Sequence, residues 1–479
     1  MVAFIGRKFE IETLKRFIRK KTASLLVVRG RRRIGKSRLI EELAKLYAFY
    51  TFSGIPPTKK TTAQSQRDEF AIQLSEQTDL PEVKADDWSK LFYLLAETIR
   101  KGRAIVLFDE ISWMGSKDPN FLGKLKNAWD LKFKKNPQLI FILCGSASSW
   151  IEKNILSSTG FLGRISYTMT LDELPLKDCQ QFWGRMAENI SAIEKIKILS
   201  VTGGIPKYLE EIDPILSAEE NIKNLCFTKG GLLVDEFANI FSDLFLRRSE
   251  MYKKIVMALS SGTKEIQEIC NLLHIKQTGR LSEYLEELEL AGFIRRDYTW
   301  HLTNGHDSKL SKYRLSDNYL RFYIKYIDKN LNKINRNAYQ FRSLSLLPEW
   351  NTIMGFQFES LVLNNRHLIH KSLGIKNEEI ISENPFFQHK TVHQPSCQID
   401  YMIQTRFGTL YICEIKFSKH EINTSIINEI QQKIKHLRYP KGYSCRPVLI
   451  HVNGIHPDVV DSDFFAAIID FCDYLGREG

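Results

Sequence analysis

Gly30-Arg31-Arg32-Arg33-Ile34-Gly35-Lys36-Ser37 fits the pattern G-x-x-x-x-G-K-[ST] in full, and its flanks decide the fold around it. Ser24 to Arg29 is an apolar run of strand length, and Ser37 to Tyr47 has the apolar spacing of a helix. A glycine-rich turn between a strand and a helix gathers backbone N–H groups and a helix N-terminus at one point, which makes a concave anion site. There Gly30 and Gly35 give the turn its shape, Lys36 reaches the β- and γ-phosphates of ATP, and Ser37 holds Mg²⁺. Arg33 and Arg38 are counted with the phosphate-binding residues; the competing reading of the loop arginines is a solvated turn.

A second signal follows at a suitable distance. The buried run Ala104 to Phe108 ends in Asp109-Glu110. A carboxylate at the C-terminal tip of a parallel strand orients the metal's water shell, and the next one polarises an attacking water, so Asp109 is a metal ligand and Glu110 catalytic. A third run, Leu139 to Cys144, ends in Gly145-Ser146, which puts Ser146 where it can sense the γ-phosphate or simply make a turn. From Ala23 to about Leu209 short apolar runs alternate with amphipathic ones, as in an α/β domain with a parallel sheet.

The whole chain has 479 residues, too many for one core, so about two to four domains are expected. With 43% hydrophobic and 26% charged residues it reads as ordinary globular protein, which excludes large-scale disorder. A net charge of +12 points softly to a polyanionic partner. The longest apolar runs are far shorter than a bilayer span, and Arg7, Lys8 and Glu10 interrupt the first one, so neither membrane segment nor leader is expected. The eight cysteines are scattered without a Cys-x-x-Cys pair, which suits a reducing cytoplasm.

Phe4-Ile5-Gly6-Arg7, the GRRRIGKS loop, Leu107 to Glu110, Cys144-Gly145-Ser146, Gly163-Arg164 and Gly203 to Tyr208 occur in one order. That order resembles prokaryotic AAA+-type ATPases, common in archaea and also found in bacteria, which carry a C-terminal domain of obscure function. The resemblance implies that Gly6 and Arg7 lie near the adenine and that Gly203 to Tyr208 starts a helical lid. It also implies Arg164 as a phosphate-facing arginine or finger, which would call for a homo-oligomer; the alternative is a surface arginine after a glycine turn.

From about Asp213 to Leu310 helical spacing dominates, at Met251 to Leu259, Ile266 to Leu273 and Arg280 to Leu290, and Phe293 to Leu302 reads as a hairpin. Three helices and a hairpin form a winged-helix pattern. The third helix, the usual reader of DNA, carries Glu283, Glu286, Glu287 and Glu289 against Arg280, and phosphate contacts need cations. Arg295, Arg296 and Lys276 are better placed, and a packing role is favoured over DNA contact. Tyr319 to Leu331 reads as a basic, aromatic helix containing Arg321, and Asn330 to Asn337 as a linker.

From about Leu346 a separate α/β unit is expected, with a helix at Trp350 to Asn364, strands at Ser396 to Ile403, Leu410 to Phe417 and Pro447 to Val452, and helices at Ile426 to Leu437 and near Asp463 to Leu475. Strand alternation puts Glu414 and Lys416 on one face, and hairpin pairing would bring Asp400 beside them. Two acids and a lysine are the minimal kit for metal-assisted phosphodiester hydrolysis, with Asp400 and Glu414 as ligands and Glu359 completing the site. A helix Glu, a strand Asp and a strand Glu-x-Lys resemble the PD-(D/E)xK nuclease superfamily, which implies Glu359, Asp400, Glu414 and Lys416 as catalytic. The proline of that motif is replaced by Ile399. Gln432 or Lys435 would add a phosphate contact. The competing reading puts these charges on the solvent face of an antiparallel strand. The spacing of His389, His393 and Cys397 is discounted as a zinc site, and His367 and His370 read as capping or surface residues.

The sequence therefore predicts an α/β AAA+-type P-loop ATPase domain at 1–210, a helical lid and winged helix at 211–335, and a restriction-endonuclease-like α/β domain at 345–479. Two functions follow. One is an ATPase whose nucleotide state governs DNA binding or Mg²⁺-dependent cleavage; the other is a regulatory ATPase switch whose C-terminal domain binds without cutting.

Overall fold

Five apolar runs make the first sheet: β1 (Ser24–Gly30), β2 (Ala48–Ser53), β3 (Ala104–Asp109), β4 (Leu139–Gly145) and β5 (Ile165–Leu171), in the order β2-β3-β4-β1-β5. The computed structural model describes residues 4–146, 148–245, 249–392 and 394–476; His393 falls outside them. Every adjacent pair in this sheet is parallel. β3 and β4 are buried almost throughout, because aliphatic and aromatic residues supply both faces of a sheet that is covered on both sides. Phe70, Trp88, Phe92 and Phe121 pack in a largely edge-to-face cluster over Phe108 on one face.

β2 lies at the edge and was not expected; its helical neighbour stops at Ala44 instead of running to Tyr47. Glutamines close the edge. Gln77 accepts from the Thr51 N–H and donates to the Thr51 carbonyl, both at 2.7 Å. Gln73 does the same at Ser53 (2.8 and 3.1 Å), and Gln66 at Ile55 (3.0 and 2.8 Å). A side-chain amide carries one donor and one acceptor face, so each glutamine stands in for the peptide of a missing strand.

Contacts divide the chain into two compact units. One is Met1–Leu174 with Ser242–Leu246 and Glu286–Gly292; the other is Pro175–Phe241, Arg247–Leu285 and Phe293–Gly479. The second contains the expected helices at Ser249–Leu259 and Ile266–Leu273 and the start of Gly279–Leu290. The antiparallel pair β6 (Ile294–Trp300) and β7 (Asp307–Leu315) runs further than the hairpin predicted. This pair is docked against the last sheet: the Trp300 indole donates to Gln404 at 2.6 Å and Ser382 to the Gly305 carbonyl at 2.8 Å.

The last sheet contains β8 (Ile380–Gln388), β9 (Cys397–Thr405), β10 (Thr409–Lys416), β11 (Ser444–His451) and β12 (Ala467–Asp470), in the order β12-β11-β10-β9-β8. β8, β9 and β10 pair antiparallel, whereas β10, β11 and β12 run parallel, with the helix Ser425–His436 crossing between β10 and β11. Two expectations fail in the second unit, the helix near 463–475 and the linker at 330–337. Residues near 463–475 give β12 and a short turn instead of a helix, and β8 was unforeseen. The expected basic helix at 319–331 is present as unbroken helical backbone that begins at Asn318–Phe322 and changes pitch along its length, with Arg321 buried; its continuation, Leu331–Asn335, occupies part of the expected linker. Among the described residues no helix is long and apolar enough to cross a membrane, and all eight cysteines are free.

Candidate functional site

The loop after β1 is built on backbone that only special residues adopt. Gly30 has φ +148°, and a Cβ there would come within 2.5 Å of the Leu171 carbonyl oxygen on β5. Gly35 (φ 89°) and Arg33 (φ 70°) are left-handed, which turns successive peptide N–H groups toward the start of the helix Lys36–Ala44. Lys36 is buried, its ammonium donating to the carbonyls of Gly30 and Arg31 at 3.0 Å each. Arg31 is buried too, so the solvated reading of the loop arginines fails for it, whereas Arg33 and Arg38 are half-buried.

Across this loop the neighbouring strand tips converge. Ser37 donates to Asp109 at 2.6 Å, and the other Asp109 oxygen accepts the Glu110 N–H at 2.9 Å. Glu110 (φ 46°) turns its carboxylate onto the Ser146 hydroxyl, 3.1 Å from both of its oxygens, and the Ser146 N–H at 3.3 Å. Burial pushes the Glu110 carboxyl above its ordinary range, Lys36 pulls it back, and Asp109 adds to the rise. Ser146, itself buried, is thus the partner of the carboxylate. The set fits Mg·ATP: a loop that rejects a Cβ, an ammonium inside it, and a hydroxyl held by an acid. Ser37 and Asp109 would hold the metal, which would offset phosphate charge, and Glu110 would orient and deprotonate a water.

Arg7 is a structural tie that the sequence reading gave only as a neighbour of adenine. Buried and left-handed (φ 59°), it donates to the Ile34 carbonyl at 3.2 Å, to Asp172 O at 2.6 Å and to Glu10 at 3.0 Å. Arg164 forks onto Asp130, with Nε at 3.0 and 3.1 Å and Nη2 at 2.8 Å. Arg164, with Lys126 and Lys134, holds the Asp130 carboxyl well below its usual range. In the second unit Tyr208 is buried and donates to Glu236 at 3.1 Å.

Residues 4–212 match the family of ATPase domains predominantly from Archaea. A protein of Methanocaldococcus jannaschii described as uncharacterized is 26% identical over 369 residues, 75% of this chain and 76% of that one. The Walker-type ATPase of Pyrococcus abyssi superposes with a TM-score of 0.50 at 18% identity, over 67% of this chain and 96% of its own. An ORC2 protein of Aeropyrum pernix, solved with ADPNP and ADP, matches with a TM-score of 0.42 at 13% identity, over 70% and 95%. The likeness to the Pyrococcus abyssi ATPase is one of fold. An archaeal-type ATPase domain on a parallel P-loop sheet thus accounts for the first cluster.

The second cluster lies in the last sheet. The register of β9 on β10 pairs Tyr401 with Cys413, which sets Asp400 beside Glu414, and Asp400 accepts the Ile415 N–H at 2.9 Å. Glu414 is 1% exposed, which overturns the reading that put it on a solvent face. Its oxygens are shared by two lysines: Lys416 at 3.0 Å and Lys433, from the crossover helix, at 2.5 Å. Lys416 also pairs with Glu429 at 3.0 Å, and Lys433 comes within 3.8 Å of Asp400. Burial and then Glu414 push Asp400 up to about 6. Glu359 rises to about 7 through burial and then Asp400, against the pull of Arg314 and Arg321. Asp400 and Glu414 therefore lie side by side, and carboxylate oxygens are donors of the kind a hard divalent cation takes.

Among the described residues no three His, Cys, Asp or Glu side chains form a ready ligand set; here lysine ammoniums lie against the acids. Sequence reasoning named Gln432 and Lys435, both exposed, and missed Lys433 between them. It also read His370 as a capping or surface residue. His370 is buried, 2.5 Å from Glu383 and 2.8 Å from the Tyr401 hydroxyl, which itself donates to Glu383. Arg296 is held by Ser311 at 2.9 Å and lies over the Tyr298 and Tyr313 rings, while Arg295 is exposed. His389 reaches Glu265 at 2.5 Å.

Proposed function

We propose that this protein binds and hydrolyses Mg·ATP at Gly30–Ser37, with Lys36 on the phosphates, Ser37 and Asp109 on the metal, and Glu110 as general base, and that its nucleotide state governs nucleic-acid binding or cleavage by the C-terminal domain. The observation that carries the first half is the Ser37–Asp109 hydrogen bond: it joins the two residue types that P-loop enzymes use for Mg²⁺, from two different strand tips. Glu110 beside them is desolvated, which makes it a stronger base once ionised. Modules at 1–210, 211–335 and 345–479 divide the labour, the middle one as helical lid and winged helix. Arg164 acts at the nucleotide of a neighbouring copy only after leaving Asp130. A cytoplasmic setting suits the free thiols.

For the second half, Asp400, Glu414 and Glu359 are the metal carboxylates and Lys416 the orienting lysine of a restriction-endonuclease-like site. Cleavage would balance simply: water adds to phosphorus, the P–O bond to the leaving oxygen breaks, and a proton passes to that oxygen. The Asp400–Glu414 pairing supports this reading. A specific observation favours the rival, a regulatory switch with a non-cutting C-terminal domain: Glu414 already balances two lysines. The test is cleavage of single-stranded, duplex and branched DNA with Mg²⁺ or Mn²⁺, with and without ATP, beside Glu414→Ala and Lys36→Ala. Cutting lost in Glu414→Ala and altered by ATP only when Lys36 is present supports coupling. ATP hydrolysis without cutting on any substrate leaves the switch.

A further inference from the structure

Lys433 has a position that neither reading uses. It projects from the helix Ser425–His436, crossing between β10 and β11, and its ammonium lies 2.5 Å from Glu414 and 3.8 Å from Asp400. Lys416 touches Glu414 and Glu429, so of these two lysines only Lys433 spans both strand carboxylates. A cation within reach of both acids occupies the place from which a divalent ion would bind them. The side chain is 27% exposed against 2% for Glu414, so its stem has a way out toward solvent while the acid has none. An ammonium on a flexible stem exchanges partners readily, and a phosphodiester is a stronger competitor for it than water.

We infer that Lys433 is a cation gate: it holds Asp400 and Glu414 against divalent metal until a phosphate backbone draws its ammonium away, so that metal and nucleic acid bind cooperatively. This rests on the metal reading of the Asp400–Glu414 pair. Linkage then requires reciprocity, with backbone binding raising metal affinity and metal raising backbone affinity by the same factor.

The test is Mn²⁺ binding to the full chain without nucleotide, by electron paramagnetic resonance, with Asp400→Asn as the baseline for other sites. Lys433→Met removes the charge and keeps the stem; Lys433→Arg keeps the charge and guards against a packing effect. The expected result is that Lys433→Met binds Mn²⁺ at least about tenfold tighter than wild type, since one positive charge close to the ion is gone. Lys433→Arg stays near wild type. A short DNA duplex, added with too little Mn²⁺ for turnover, tightens wild-type binding and leaves Lys433→Met unchanged. Mn²⁺ binding that is equal in wild type and Lys433→Met, and absent in Asp400→Asn, overturns the gate and leaves the metal site standing. No binding above the Asp400→Asn baseline in any variant overturns the gate together with the metal reading.

Discussion

Glu359→Gln should stabilise the C-terminal unit above neutral pH and do much less in acid. In the folded chain Glu359 keeps its proton up to about 7 instead of 4.5, because burial and Asp400 outweigh Arg314 and Arg321. The folded state therefore binds more protons than the unfolded one between those values, and stability falls as pH rises through that window. A rise of about 2.5 at about 1.4 kcal/mol per pH unit puts the full penalty of ionisation on the order of 3 kcal/mol. Asp400, raised from 3.8 to about 6 by burial and then Glu414, carries the same sign. Urea unfolding of wild type and variant at about pH 5 and about pH 8.5, read by hydrogen exchange of β9 and β10 amides, should show a gain of roughly 3 kcal/mol at the higher pH that shrinks to about 1 kcal/mol or less at the lower. An equal gain at both values would mean that packing, not charge, sets the effect. A loss at high pH would refute the account, since it would make Glu359 a net partner of Arg314 and Arg321.

Glu110→Gln should retain ATP while hydrolysis drops by about 10²–10⁴, read by equilibrium nucleotide binding beside single-turnover phosphate release; weakened binding of the same size would argue for a structural role. Gly30→Ala meets the Leu171 carbonyl at 2.5 Å and should lose nucleotide binding through a displaced loop, so unchanged affinity would disprove the cradle geometry. Gln73→Ala together with Gln77→Ala removes four hydrogen bonds from the β2 edge, at about 1 kcal/mol or less each for groups that water can reach. The main effect should be concentration-dependent association in sedimentation, because an open edge pairs with other chains.

The phosphate loop was legible because its demands are local. Gly30 and Gly35 answer to backbone angles, and Lys36 and Ser37 to one anion, so eight consecutive residues state the whole requirement. Asp109-Glu110 was readable as the point where an apolar strand stops. Ser146 was readable as a candidate at the next strand tip, but its pairing with Glu110 was not, since the two come from different strands and any turn serine looks alike. Edge strands escaped for a physical reason: β2 and β8 present many partly exposed positions, so neither shows the continuous apolar run that marks β3 and β4. Lys433 was readable in principle. The helix Ser425–His436 buries Ile426 and Ile430, and adding seven and three to those numbers gives position 433 on the same inward stripe, whereas 432 and 435 fall off it.

Consecutive residues on β9 then divide the work of that strand. Side chains alternate across a sheet, so Asp400 and Tyr401 point to opposite faces. On one face Asp400 is raised by burial and by Glu414 beside it, and Glu359 is raised by burial and by Asp400. On the other, Tyr401 is held by Glu383 from β8 and by His370. A slip of β9 by one residue would exchange the two faces, exposing Tyr401 to the acids and leaving His370 and Glu383 without their hydroxyl. The hydrogen-bonded face and the lysine-paired acids on the other thereby specify the same register.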